Sequence, residues 1–253
     1  MYREGAVAEI PGAVRWASVS RGEGAVRVLP DGCLDLLWSS RAGLLVAGPD
    51  RTAHLSVSVP GERWVGLRLP PGTGPAVFGV PADELRDLRV PLDDLWGPAA
   101  AELADRVAAS TGSAAASAGG SPAGSPLAGW PATSIAAVLE EVALRRLRAA
   151  GGPDPLGARV AARLAAGATV AATAAEVGLG ARALHRRSRL LFGYGPKSLA
   201  RILRMRRALD LAGAGTPLAE VAALAGYADQ AHLTREVKEF AGVPPTRLLP
   251  AGA

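Results

Sequence analysis

Residues 170–196 read VAATAAEVGLGARALHRRSRLLFGYGP, and residues 218–245 read LAEVAALAGYADQAHLTREVKEFAGVPP. Laid side by side, they are one pattern written twice. Leu184 and Leu233, Arg186 and Arg235, Gly193 and Gly242, and Pro196 and Pro245 are each 49 positions apart. Ala174 and Ala222, like Gly178 and Gly226, are 48 apart, so the second copy gains one residue entering its second helix. Self-similarity at a fixed offset marks a repeated structural unit. Each copy predicts a short helix (Val170–Val177, Leu218–Leu224), a turn at Gly178-Leu179-Gly180 or Ala225-Gly226-Tyr227, and a longer helix (Ala181–Phe192, Asp229–Phe240). That is a helix-turn-helix, with glycine in the turn where a left-handed conformation is needed. A long helix over Pro196–Leu211 joins the copies, and another over Pro155–Ala165 precedes them.

Charge separates this region from the rest of the 253 residues. Residues 154–253 hold 14 Lys/Arg against 7 Asp/Glu, a balance of +7, whereas residues 1–153 hold 14 against 16, a balance of −2. A basic half joined to a slightly acidic one is the footprint of a domain that faces phosphates. The tryptophans, Trp16, Trp38, Trp64, Trp96 and Trp130, all fall in the first half. One cysteine, Cys33, excludes an internal disulfide and any multi-cysteine zinc site. No stretch approaches the roughly 20 apolar residues that span a bilayer. The opening Met1–Gly5 lacks the basic start and apolar core of a signal peptide, so a cytoplasmic protein without membrane partners is expected.

Residues 13–69 predict six short strands, at Ala13–Ser20, Ala25–Leu29, Cys33–Trp38, Gly43–Ala47, Ala53–Val59 and Arg63–Leu69, divided by Gly, Pro and Asp turn signals. Six strands in so short a span imply a small sheet or partial barrel. Helices are expected at Asp83–Leu88, with Asp83 as N-cap, at Pro98–Ala109 and at Ser134–Ala149. The last of these either mediates dimerisation or covers the sheet. Thr111–Gly129 carries no charge and is rich in Ala, Gly, Ser and Pro, the composition of a flexible linker. The expected fold class is α+β: a small mainly-β N-terminal domain with flanking helices (1–110), a linker plus helix (111–153), and an all-α domain of two helix-turn-helix units joined by a long helix (154–253).

The run Gly226-Tyr227-Ala228-Asp229 through Arg235, with Val237-Lys238 and Phe240 to Pro245, resembles the signature of the AraC/XylS family of transcription regulators, roughly Gly-Phe-x-Asp-x-x-x-Phe-x-Arg-x-Phe-Lys-x-x-x-Gly-x-x-Pro. The departures are Tyr227, Leu233 and Val237, all apolar, and in the first unit Ser188 stands where the family usually has Phe. The resemblance, covering about residues 155–250, implies sequence-specific binding of double-stranded DNA, with the second helix of each unit in a major groove. Arg182, His185 and Arg186 share one helical face in the first unit. Gln230, His232, Arg235 and Lys238 are the candidates in the second, with Ala231 placed to touch a thymine methyl. Arg takes guanine bidentately and Gln takes adenine, each pair discriminating by about 1–3 kcal/mol. Exposed basic residues are also simply solvated in many helices, and Arg201–Arg207 reads as solvated charge with some phosphate contact. Leu184, Leu199, Leu203, Leu224, Leu233, Val237 and Phe240 read as core. The joining helix should set the units about 34 Å apart, one DNA turn.

Leu29-Pro30-Asp31-Gly32-Cys33-Leu34-Asp35, Ala47–Asp50 and Val90–Gly97 resemble segments of actinobacterial AraC-like regulators with a short sensor domain. That implies a domain sensing a small-molecule effector or forming a homodimer, and RNA polymerase as a partner if the protein is an activator. The tryptophans either line a pocket or fill a core. Cys33 reads as inert packing, and Asp31 and Asp35 as turn and structural residues rather than a catalytic pair. No HExxH, Walker loop or GxSxG elbow occurs, so neither an enzyme nor a cofactor is expected. The rival reading is a helix-turn-helix module for protein contacts; an enzyme with an appended DNA-binding domain ranks below it.

Overall fold

The computed structural model describes residues 2–117 and 132–249. Residues 118–129 of the expected linker, and Trp130, lie outside the described residues. Among those described, the chain runs β1 (Tyr2–Ala6), β2 (Val14–Val19), β3 (Gly24–Val28), β4 (Leu34–Ser39), β5 (Gly43–Ala47), β6 (His54–Ser58), β7 (Arg63–Leu69), α1 (Gly74–Phe78), β8 (Arg89–Pro91), α2 (Leu92–Trp96), α3 (Pro98–Ser117) and α4 (Ala132–Ala149). An all-helical part follows: α5 (Pro155–Ala165), α6 (Val170–Glu176), α7 (Ala181–Phe192), α8 (Pro196–Gly213), α9 (Leu218–Ala225) and α10 (Gln230–Ala241), closed by a 3-10 turn at Pro245–Arg247.

Six strands form an antiparallel sheet in the order β1-β2-β7-β4-β5-β8, and β3 pairs with β6 as a separate two-stranded sheet. The period-2 alternation of a strand divides the large sheet into two faces. Leu34, Leu36, Val46, Val65, Leu67 and Leu69 enter a core that α1, α3 and α4 cover, through residues such as Val77, Leu103, Ile135 and Leu139. The intervening residues, among them Trp16, Asp35, Leu37, Leu45 and Arg68, turn to the other face, toward β3 and β6. Thus α4 covers the sheet.

Two expected helices differ from the sequence reading. Asp83–Leu88 forms successive turns, with no helix. Asp87 has φ +61°, outside the helical region, and Ala82 N donates to Leu190 O at 2.8 Å, so docking against the helical part bends the segment. Asp83 instead pairs with Arg189 at 2.8 Å. Helix α3 runs eight residues past the predicted Ala109, carrying helix into the first residues of the expected linker. Strands β1 and β8 and helix α1 were not predicted; Tyr-Arg-Glu-Gly-Ala offers no apolar alternation, and the other two are too short to show a period.

The helical part packs around one core, from Val160 and Leu164 through Leu184, Phe192, Leu199, Ile202 and Met205 to Val221, Leu233, Val237 and Phe240. Leu224 departs from its expected core role: it is 48% exposed, on the outer side of α9.

Candidate nucleic-acid interface

The two longer helices of the repeat, α7 and α10, each hold 12 residues and are positioned by their ends. Asp229 caps α10 by accepting from His232 N at 2.6 Å, whereas α7 begins at Gly180 without a side-chain cap. Both stop at a left-handed glycine, Gly193 (φ +81°) or Gly242 (φ +73°), where a Cβ would be strained. The buried faces carry Leu184, Ser188, Leu191 and Phe192 on α7, and Leu233, Glu236, Val237, Phe240 and Ala241 on α10.

The opposite faces are basic. Arg182, His185 and Arg186 are all exposed on α7; Gln230, Ala231, Arg235 and Lys238 are exposed on α10. Neither Arg182, Arg186, Arg235 nor Lys238 has an ion-pair partner among the described residues. The 49-residue offset maps Arg182 onto Ala231 and Arg186 onto Arg235. It also maps Arg189 onto Lys238, a basic pair in the last turn of each helix. Arg189 was missed by the sequence reading, although the same arithmetic identifies it. It is half exposed and tethered to Asp83 of the β-rich part.

The histidines are less free. His232 is partly buried; its Nδ1 accepts from Ala228 N at 3.4 Å, and its ring meets Tyr227 edge-on with centroids 5.1 Å apart. His185 rests against the turn before α8, where a Cβ on Gly195 would lie 2.7 Å from its Nε2.

Behind α10 sits a charged lock. Glu236, 4% exposed, accepts from Arg204 Nη2 at 2.7 Å, from Arg201 Nε at 2.8 Å and from the Tyr227 hydroxyl at 3.0 Å. Burial would raise the Glu236 carboxyl, but hydrogen bonds from Arg204 and Arg201 hold it below its ordinary value. Two members of the expected phosphate-facing run Arg201–Arg207 are therefore turned inward, fastening α10 to α8. In the first unit the position equivalent to Glu236 is Arg187, which pairs with Asp154, the N-cap of α5. Ser188, equivalent to Val237, is 1% exposed, and its Oγ has no hydrogen-bond partner among the described residues.

The β-rich part grips the C-terminal ends of both helices. Arg86 donates to Gly193 O at 2.9 Å, just beyond α7. At α10, Ala53 N donates to Phe240 O at 2.6 Å and Arg27 Nη1 to Ala241 O. The exposed N-terminal turns remain clear of these contacts. Among the described residues, no helix is long and apolar enough to cross a membrane.

A family model described as a helix-turn-helix domain matches residues 173–250, and one described as a domain of unknown function, DUF6597, matches residues 13–91. Among solved structures, the chain is similar to a probable AraC family transcriptional regulator from Rhodopseudomonas palustris CGA009, at 21% identity over 38% of this chain and 100% of that one, TM-score 0.34. It is also similar to ToxT from Vibrio cholerae O395, at 8% identity over 100% of this chain and 99% of that one, TM-score 0.47. Wild-type ToxT with bound unsaturated fatty acid, from Vibrio cholerae strain SCE256, gives 10% identity over 95% and 96%, TM-score 0.46. No curated protein matches the chain.

Proposed function

We propose that the chain is a DNA-binding transcriptional regulator of the AraC/XylS type in which α7 and α10 read successive major grooves on one face of a duplex, a reading supported by the helix-turn-helix match over residues 173–250. The observation that carries this reading is the pair of equivalent, exposed basic faces. Among the described residues, Arg182 and Arg186 stand unpaired on α7, and Arg235 and Lys238 stand unpaired on α10. Arg186 and Arg235 are assigned to base edges and Lys238 to a phosphate, with Gln230 and Ala231 at the leading end of α10. The partial burial of His232 favours a role in holding its own turn, and the contact of His185 with Gly195 favours the same. Helix α8, 18 residues long, spans about 27 Å and joins the two units.

The N-terminal unit serves as the regulatory half. A cavity of about 540 Å³ opens between the large sheet and the β3–β6 pair, within the range of small-molecule sites. Its lining includes Gly48, Asp50 and His54, and the same segment carries Ala53 to the end of α10. An effector there contacts the chain that grips the DNA-reading helices. Homodimerisation through this unit is the other mode of control, RNA polymerase is the partner if the protein activates, and a cytoplasmic, non-enzymatic protein completes the proposal. The domain boundary is placed at Gly151-Gly152-Pro153, with α3 and α4 assigned to the β-rich unit whose core they share.

The test is binding of genomic fragments by the purified protein at two salt concentrations. A sequence-specific regulator yields one recurrent motif, with affinity falling steeply as salt rises because neutralised phosphates release counterions. Recovery of no motif at either salt, with or without added metabolites, contradicts the proposal.

A further inference from the structure

The cavity has a polar end, near Arg68, where three carboxyl groups face two guanidiniums, and a more apolar stretch beyond it. Asp35 pairs in register with Arg68, and Val19 with Arg63, so the two ends of β7 lie about 17 Å apart at strand rise. At the Arg68 end stand Asp31, Asp35 and Asp50 against two guanidiniums, Arg68 and Arg89. Arg89 is spent on Asp50, with contacts of 3.0 and 2.6 Å. That leaves Arg68 alone between Asp31 and Asp35, and burial, against the pull of Arg68, raises the Asp35 carboxyl above its ordinary range, so that this end lacks a cation to hold both groups ionised. Its Nε stands 3.4 Å from both Asp31 and Asp35, buried and skewed out of hydrogen-bond geometry with either. The neighbouring groups add no positive charge. Burial and then Arg89 lower His54, and burial raises Cys33 and takes Tyr2 up to about 12, so all three are neutral near pH 7. The remaining cation of the lining, Arg21, follows β2 at the far end, exposed to solvent.

The floor between the ends is aromatic. Trp16 pairs with Gly66, where a Cβ would fall 2.3 Å from the indole; the glycine lets the ring lie down across β7. Trp16 Nε1 donates to Asp35 Oδ1 at 3.0 Å, joining that floor to the acidic end, and Tyr2 stacks on Trp16 with centroids 6.0 Å apart. Beyond it, Leu37, Leu45, Val26 and Trp64 continue an apolar wall.

We infer that this cavity takes an elongated amphipathic amine, its ammonium set against Asp31 and Asp35 and its aromatic or aliphatic body lying over Trp16 toward Trp64. This rests on the reading of the cavity as an effector site and adds the chemical class. An ammonium supplies the missing positive charge and three donors to carboxylates that one guanidinium serves poorly, and a tryptophan face beside it attracts a cation. A carboxylate ligand meets two like charges at that end, which disfavours it.

Calorimetric titration of the full-length protein with 4-phenylbutylamine, 4-phenylbutanol and 4-phenylbutyrate tests the class. The amine should bind saturably at one site per chain, at least tenfold more tightly than the alcohol, with the carboxylate weakest. Asp35→Asn should erase the amine's advantage over the alcohol. If that variant loses its cooperative thermal unfolding, Asp31→Asn is read by the same criterion. Alcohol or carboxylate binding as tightly as the amine, or an amine preference that survives in the folded variant, overturns the class while the effector site stands. Absence of binding by all three probes removes both.

Discussion

Ser188 and Glu236 show how single side chains tune otherwise matching helices. Ser188 places a hydroxyl without a partner where the second unit has Val237. An unsatisfied buried polar group costs about 1–3 kcal/mol. Ser188→Ala should therefore stabilise the protein by about 1 kcal/mol, raising Tm by about 2–4 °C in thermal melts; a lower Tm would mean that the hydroxyl is satisfied. Glu236 contributes in the opposite direction, through ionisation. Its folded carboxyl titrates below the ordinary value of 4.5, so its stabilisation is present above that pH. It is lost as pH falls through the lowered folded value. Denaturant melts from pH 7 downward should show stability falling below about pH 4.5, less steeply in Glu236→Gln, which should also be less stable than the parent at pH 7. Equal acid slopes would remove Glu236 as the cause.

At the scale of elements, α7 and α10 are the same device with different ends. The Asp229 cap on α10 has no side-chain counterpart on α7. Asp229→Ala should cost about 1 kcal/mol in chemical denaturation, as lost caps generally do, and an unchanged midpoint would show the cap idle. These helices were legible in the sequence because their signals are local and doubled. An aspartate cap opens α10, glycine closes both helices, and the 49-residue offset checks one copy against the other. Strands β5 and β7 were legible for a similar reason, bounded by turn residues at both ends. What failed was what depends on distant chain. Asp83–Leu88 has the composition of a helix but is bent by Leu190, more than 100 residues later, and β1 is an edge strand held by pairing with β2 and by the stacking of Tyr2 on Trp16. The outward aspect of the DNA-reading faces was readable from helical spacing. That Arg201 and Arg204 turn inward was not, because Glu236 lies on another helix.

Across the whole molecule, the β-rich unit and the helical unit meet where both reading helices end. Asp83 reaches Arg189, Arg86 reaches Gly193, and Arg27 and Ala53 reach the last residues of α10. One domain thus holds both of the helices that are proposed to fit one duplex. On the proposed mode of binding, the tether on Arg189 also withholds a cation from the phosphate backbone. Asp83→Asn should raise non-specific DNA affinity a few-fold at low salt and steepen the salt dependence by about one unit of log–log slope, the mark of one added phosphate contact. Affinity unchanged at every salt concentration would place Arg189 outside the interface.

The central claim is that both helices read the same duplex, and footprinting of the bound site tests it most directly. The account predicts two protected major-groove tracts about 34 Å apart on one face, with Arg186→Ala relaxing base selectivity in one and Arg235→Ala in the other. A single protected tract, or two tracts indifferent to both substitutions, would contradict it.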